Sequence, residues 1–409
     1  MTLRNELTLS PQILMKKHVN FYMRERNVIL TGAGAVVPWG APNTDEITNI
    51  FRNDSTFVND KGEPIGEYLF SLLEAQKDKY NGYYTPNFES ILHFVELLFE
   101  YKKSQKPMSN IFFRFNTFLL IDPEIQHKLE IFESQKLDKR LDTSFGTRRI
   151  IANENYYYEL YIHFIFLIKK EIEKYETVEE NKYHELNKSF NRFLDQVKGE
   201  NGIVRFYTLN YDYLVPNISN LKFFDGYDEK TGKINVKKII ENNNIDCYYH
   251  LHGSFKLNFI REKSNDYSSC SPQRNFVQNN LIPSNIITGY HKPERILDET
   301  FYEFYQKMVE DLIKANNIYI IGYSFNDMHI NAALIRALKK GTAKVTVVDK
   351  CCLPDFHIKY DKIVGSKSDY DMIKLIKFPN TFQLTTEAPK VKAYLNGLND
   401  FLDNWNRIE

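Results

Sequence analysis

The apolar positions of the chain follow two different periods. From about Thr85 to Glu200 they recur at helical spacing. Phe88, Ile91, Leu92, Val95, Leu98 and Phe99 form one such stripe, and Tyr157, Leu160, Tyr161, Phe164 and Ile168 a second. Tyr183, Leu186, Phe190, Phe193 and Val197 form a third. The polar stretch between them, Asp138 to Asn155, reads as a loop. On either side of this region the apolar residues gather in short runs of strand length: Asn27–Thr31, Ile203–Thr208, Asp246–His252, Asn317–Ile321 and Ala343–Val348. Thr44 or Asp45 is expected to cap a helix after the first run. The segment around Val391 to Trp405 reads as one C-terminal helix.

Short apolar strands alternating with helical segments imply an α/β fold, here a Rossmann-like parallel sheet with a large helical insertion. The expected organisation is an N-terminal arm over residues 1–25, a sheet domain over 26–380 with its insertion at about 85–200, and a C-terminal helical tail over 381–409. A separate helical domain is the alternative reading of the insertion. The 27 Tyr and 30 Phe fall largely in the helical stripes, which assigns them to core and inter-helix packing.

Charge and cysteine usage narrow the function. The 53 basic side chains are matched by 53 acidic ones, so no bulk basic field favours direct contact with nucleic acid. The four cysteines, Cys247, Cys270, Cys351 and Cys352, form no C-x-x-C pair, and no zinc site is expected. Met1 to Lys17 has no signal-peptide core, and no run of about 18 apolar residues marks a membrane span. A soluble, cytoplasmic protein without membrane contact is expected.

The five strand candidates end in residues able to do chemistry: Gly32-Ala33-Gly34-Ala35, Thr208-Leu209-Asn210-Tyr211-Asp212, His252-Gly253-Ser254, Gly322-Tyr323-Ser324 and Asp349. In open parallel sheets ligands bind beyond the carboxyl ends of the strands, so these groups would converge on one crevice. Gly32 and Gly34 suit a phosphate-cradling turn, although Val37 stands where a third fingerprint glycine would fall, which argues against a dehydrogenase. A plain tight turn explains the same two glycines equally well. Gly322 and Ser324 could contact phosphate or ribose, or merely form a turn before a helix capped by Asn326 or Asp327. Asp349 could accept ribose hydroxyls or be a solvated loop carboxylate. His250 and His252, two residues apart, would share one strand face; His252 is taken as functional and His250 as structural. Asn210 either has work for its amide or closes the strand as an Asx turn.

These residues resemble the sirtuin superfamily, and more closely its bacterial antiphage branch. The Gly-Ala-Gly loop corresponds to Gly32-Ala33-Gly34-Ala35, with Val36 where Ser is usual. Thr208-Leu209-Asn210-Tyr211-Asp212 stands for Thr-Gln-Asn-Ile-Asp, His252-Gly253 for the catalytic His-Gly, and Gly322-Tyr323-Ser324 for Gly-Thr-Ser. Asn87-Phe88-Glu89, opening an amphipathic helix, also resembles that branch. Leu209 replaces the glutamine that touches the nicotinamide ribose in sirtuins, and the four-cysteine zinc module is missing, which puts protein deacylation in doubt.

The resemblance implies an NAD⁺ glycohydrolase that acts as a regulated antiphage effector and depletes cellular NAD⁺, with NAD⁺ as substrate and no cofactor. It implies catalysis by Asn210, His252 and Asp212, with Gly32, Ala33, Gly34, Ala35, Thr208, Gly322, Ser324 and Asp349 binding the dinucleotide. Asn210 would orient water or a ribose hydroxyl, His252 accept the proton, and Asp212 hold the nicotinamide carboxamide or orient its neighbours. The implied partners are a second copy of the chain and a separate ATPase of the HerA type. The alternatives are an ADP-ribosyltransferase or deacylase of sirtuin type, and a non-catalytic NAD- or ADP-ribose-binding subunit of a defence complex.

Overall fold

The computed structural model describes residues 24–59, 61–75, 86–104, 127, 137–140, 147–150, 154–176, 182–228, 234–255, 258–261, 267–270, 281–282, 299–340, 342–364, 373–375, 381–384 and 391–408. Apart from Arg24 and Glu25, the expected N-terminal arm lies outside the described residues.

In chain order the elements are β1 (Arg26–Thr31), α1 (Thr44–Asn53), β2 (Phe57–Val58), α2 (Ile65–Glu74), α3 (Phe88–Ser104), β3 (Leu137–Arg140), β4 (Thr147–Ile150), α4 (Glu154–Glu176), α5 (His184–Lys198), β5 (Ile203–Thr208), α6 (Leu214–Ile218), α7 (Val236–Glu241) and β6 (Cys247–His250). They continue with β7 (Asn258–Arg261), β8 (Tyr267–Cys270), β9 (Leu281–Ile282), α8 (Glu299–Lys314), β10 (Asn317–Ile321), α9 (Met328–Lys340), β11 (Lys344–Val348), α10 (Leu353–Val364), β12 (Ile373–Leu375), β13 (Thr381–Leu384), β14 (Val391–Tyr394) and α11 (Leu398–Ile408).

The main sheet has the order β12-β13-β14-β11-β10-β1-β5-β6. Six of its strands, β14 to β6, are mutually parallel, and β13 and β12 add an antiparallel edge. Strand residues are buried on both faces, as a sheet covered by helices requires. Side chains of alternate residues enter two separate cores. Ile29, Phe206, Tyr248 and Tyr319 pack with α1 to α5 and α11. Val28, Leu30, Tyr207, Tyr249, Ile318 and Ile320 pack with α7 to α10. The fold is therefore the expected Rossmann-like α/β arrangement, with the helical stripes covering one face. The aromatics do the packing: Phe193 of α5 meets Trp405 and Phe401 of α11, at centroid distances of 5.2 and 5.7 Å, and Tyr319 of β10 at 5.5 Å.

Three local expectations are corrected. The polar stretch 138–155 contains the β3–β4 hairpin, extended by β2 into a three-stranded sheet. Leu-Asp-Lys-Arg and Thr-Arg-Arg-Ile carry little apolar alternation, and the pairing partner Phe57–Val58 lies about eighty residues earlier, so no local pattern announces it. The segment around Val391 to Trp405 is a strand and then a helix: Val391 pairs with Val345 and Tyr394 with Val348 in parallel register. Its four strand residues are too few for a period to distinguish them from a first helical turn. The cap of α1 is Asn43, whose side chain accepts the Glu46 N–H at 2.9 Å while the Glu46 carboxylate accepts the Asn43 N–H at 2.7 Å.

Candidate active site at the carboxyl ends of the strands

The register brings the expected residues to one end of the sheet. Thr31 is paired with Thr208 and Ile321, Thr208 with His250, and Ile321 with Val348. Gly32, Leu209, Gly322 and Asp349 therefore follow at one level. Asn210 and His252 follow on neighbouring strands, two residues past the Thr208–His250 pair. The ladder continues through this region: Leu209 N–H donates to the Thr31 carbonyl, Leu251 N–H to the Thr208 carbonyl, and Gly322 N–H to the Val348 carbonyl, at 2.8–2.9 Å.

Gly32, Gly34 and Gly322 interlock. Gly34 N–H donates to the Gly322 carbonyl and Gly32 N–H to that of Ile321, both at 3.0 Å. A Cβ on Gly322 would stand 2.1 Å from the Ala35 nitrogen, and one on Gly34 would stand 2.9 Å from the Gly322 Cα. Gly322 also has φ +61°, in the left-handed region. The loop continues as two short 3₁₀ turns, Ala33–Ala35 and Val37–Trp39, before α1 begins. Ala35 N–H donates to the Gly32 carbonyl at 3.0 Å. The loop thus spends the N–H groups of Gly32, Gly34 and Ala35 on its own architecture, and the glycines serve first to let two strand-end loops touch.

Beside this loop lies a small, mainly apolar cavity lined by Ala35, Val36, Trp39, Val215, Tyr248 and Asn210, with Thr31 and Ile321 at its floor. The Asn210 N–H is held by the Thr208 hydroxyl at 3.0 Å. Its carboxamide has no hydrogen bond among the described residues, whereas the indole N–H of Trp39, which also lines the cavity, donates to Asn187 at 2.7 Å. Thr208 is itself fully buried, which makes it a support for Asn210. Leu209 enters the core on the α8–α9 face, so the position that carries glutamine in sirtuins is here part of the packing.

Asp212 is enclosed. It is 1% exposed, accepts the Leu214 N–H at 3.0 Å and the Tyr175 hydroxyl at 3.1 Å, and its carbonyl accepts His250 Nε2 at 2.7 Å. Burial pushes its carboxyl up to about 6; the Leu214 N–H pulls against that, and the nearby Glu176 charge adds to it. Asp212 ties α4, α6 and β6 together behind the crevice. His250 belongs to the same assembly, its ring 4.5 Å from that of Tyr213.

His252 does not share the face of His250. The strand ends at His250, Gly253 takes φ +83°, and the His252 ring meets His329 at the start of α9, on the other helical layer. The two Nε2 atoms are 3.3 Å apart. His329 was missed from sequence. The available signal was its place seven residues after Gly322, at the head of the helix that leaves a candidate strand end.

The loop from Gly322 to Asp327 is held in a strained shape. Phe325 is buried with φ +56°, a conformation costing about 1–2 kcal/mol for a residue with a Cβ. Asn331 compensates by donating to the Phe325 carbonyl at 2.8 Å while accepting the Tyr323 hydroxyl at 2.9 Å. Ser324 is left exposed. The Asp327 carbonyl accepts the Asn331 N–H at 2.9 Å, placing Asp327 at the head of α9. Asp349 is already engaged, by the Lys359 ammonium at 2.8 Å and the Lys350 N–H at 2.8 Å. A larger open groove, bordered by Arg24, Lys198, Lys222, Asp225, Lys238 and Asp246, lies near the amino ends of β5 and β6, away from all of these residues.

Residues 204–351 match the family model described as SIR2-like domain. The match supports the sirtuin superfamily. It runs from β5 to just past β11 and takes in Asn210, Asp212, His252, Gly322, Ser324 and Asp349; the Gly32–Ala35 loop precedes it. The chain is also similar to a solved structure, "Structure of Sir2Tm bound to a propionylated peptide", at 10% identity and a TM-score of 0.32, over 87% of this chain and 91% of that one. The comparison with curated proteins gave no match. Among the described residues no helix is long and apolar enough to cross a membrane.

Proposed function

We propose that the chain is an NAD⁺ glycohydrolase, releasing nicotinamide and ADP-ribose. The observation that carries this reading is the placement of Asn210 and His252 on adjacent strand ends, beside the interlocked glycine loop, inside the SIR2-like match. In the proposed reaction the C1′–nicotinamide bond breaks and its electron pair leaves with nicotinamide, so positive charge develops on the ribose. The small cavity beside Asn210 has room for about one water molecule. The Asn210 carboxamide orients the attacking water or a ribose hydroxyl, and His252 accepts the proton. The exposed Ser324 would contact the ribose or phosphates, and the Gly32–Ala35 turn, whose Gly32, Gly34 and Ala35 N–H groups are already bonded, would shape the wall beside them. Asp212, being enclosed, acts by holding the Asn210 and His250 loops. Asp349 reaches a ribose hydroxyl only by sharing its contact with Lys359.

The biological reading follows from the resemblance: a cytoplasmic antiphage effector, assembled as a homo-oligomer and gated by a separate HerA-type ATPase. The decisive experiment is incubation of the purified protein with NAD⁺, alone and with its genomic neighbour's product, followed by product identification. Nicotinamide and ADP-ribose in equal amounts support the reading. Intact NAD⁺ under both conditions, or consumption only with an acyl-peptide acceptor, rejects it.

A further inference from the structure

Two polar side chains meet in the small cavity beside the glycine loop, and both are open. Thr31 is the last residue of β1. Its carbonyl accepts the Leu209 N–H at 2.9 Å, so the backbone is engaged and the hydroxyl is left over. Ile29, two residues earlier, enters the core shared with α1 to α5 and α11, and alternation along the strand sends the Thr31 side chain to the same face. Thr31 is 4% exposed, and its hydroxyl makes no hydrogen bond among the described residues. The Asn210 carboxamide, at the end of the paired strand β5, makes none either. A hydroxyl shut away from solvent without a partner is unfavourable, and buried polar groups nearly always have one.

The cavity sets what that partner can be. It has room for about one water molecule. No charged side chain lines it, and two neutral oxygens are too few to hold a divalent cation. The other polar groups of the lining are engaged elsewhere: the Trp39 indole N–H donates to Asn187 at 2.7 Å, and the Tyr248 hydroxyl interacts with Thr208. The remaining walls are apolar. A water stays in such a space when at least two polar groups hold it, and Thr31 and Asn210 supply them.

We infer that this cavity is a site for one resident water that joins the Thr31 hydroxyl to the Asn210 carboxamide, which makes Thr31 a positioning residue. Its role in turnover rests on the hydrolase reading above. The Thr208 hydroxyl holds the Asn210 N–H at 3.0 Å, but that contact fixes the backbone and leaves the carboxamide able to turn. Through the water, Thr31 fixes one end of the carboxamide, and the other end is presented to the crevice in a single orientation. His252 does not line the cavity, so the resident water is distinct from the one whose proton His252 takes. No substrate bond changes at this water. It aims a group that has to be aimed before the reaction starts.

The test uses the full chain, ¹⁵N-labelled at asparagine, with the Asn210 side-chain amide assigned by its loss in Asn210→Asp. In the wild type that amide should show a nuclear Overhauser contact to a long-lived water. Thr31→Val, close in shape but without the hydroxyl, should lose the contact. In turnover Thr31→Val should lower kcat by about tenfold, the scale of one lost hydrogen bond, with KM within about twofold and no fall in thermal midpoint. Thr31→Ser keeps the hydroxyl and should recover most of the loss, whereas a role in packing alone would lower the midpoint in both variants. Thr31→Ala serves if the valine variant does not fold. A wild-type spectrum without the water contact, wild-type kcat in Thr31→Val, or a serine variant as impaired as the valine one would overturn the inference. If the wild type releases no nicotinamide under any condition, the hydrolase reading fails separately, and the water contact still decides whether the site exists.

Discussion

The two ends of the main sheet are both polar, yet they are built on opposite principles. At the amino end the charges close on one another. Asp311 of α8 accepts Arg26 and Arg205, each at 2.6 Å, and Arg205 and Asp311 are both fully buried. Arg205 also donates to the Ile245 carbonyl at 2.9 Å, and Arg26 to the Asn243 carbonyl at 3.3 Å. At the carboxyl end the backbone is locked by interlocked glycines and a left-handed Phe325, while the Asn210 carboxamide and the exposed Ser324 hydroxyl make no hydrogen bond among the described residues. Polar groups satisfied within the protein stabilise or specify the fold. Polar groups held rigidly but left open are free to bind and react.

The sharpest way to break this comparison is at Asn210 and His252. Alanine at either position is expected to reduce nicotinamide release by about 10²–10⁴-fold, with little change in thermal midpoint for Asn210→Ala, whose carboxamide makes no hydrogen bond among the described residues, and a lower midpoint for His252→Ala, which empties a buried position beside His329. A turnover assay alongside a melting curve checks this, and full activity in both variants would refute the assignment.

At the other end the effect should reverse. Asp311→Ala leaves two arginines without their shared carboxylate and should cost about 3–5 kcal/mol in denaturant unfolding. If the variant stays folded at low temperature, its KM for NAD⁺ should be unchanged. A change in KM comparable to that in the strand-end variants would mean that the two ends are coupled.

Asp212 lies between these extremes and makes a pH prediction. Its folded value, about 6, is above that of an ordinary carboxylate, so the fold binds this proton more tightly than the unfolded chain does. Its contribution is therefore fully favourable below the usual carboxylate range and is lost as pH rises through about 6, a change of roughly 2–3 kcal/mol. Asp212→Asn should flatten the stability profile between about pH 4 and 7. An unaltered profile would show that another group is responsible.

The smallest effect is expected at Asn43, a polar group near the open end that is nonetheless closed within its capping box. Asn43→Ala should lower stability by about 1 kcal/mol and leave turnover unchanged, as calorimetry and the nicotinamide assay would show.

Much of the fold was legible in the chain because each of the five strands of the parallel core first recognised is a short apolar run ended by Gly, Asn, His or Asp, and because the helical stripes span several turns. Such signals are local, and local pattern is what a sequence displays. Val391–Tyr394 and the β3–β4 hairpin were not legible. Four residues do not establish a period, and their partners, Val345–Val348 and Phe57–Val58, are distant along the chain.

Within the site, residue types at strand ends were enough to mark Asn210, His252, Gly322 and the Gly32–Ala35 loop as candidates, since parallel strands deliver their carboxyl ends to one edge. What each residue touches depended on the tertiary structure. Burial enclosed Asp212 and Thr208, Lys359 engaged Asp349, and the turn after β6 carried His252 away from the face of His250 to meet His329. Those outcomes depend on which layers meet at distances of about 3 Å, set by packing between segments tens of residues apart, and no local pattern in the chain encodes them.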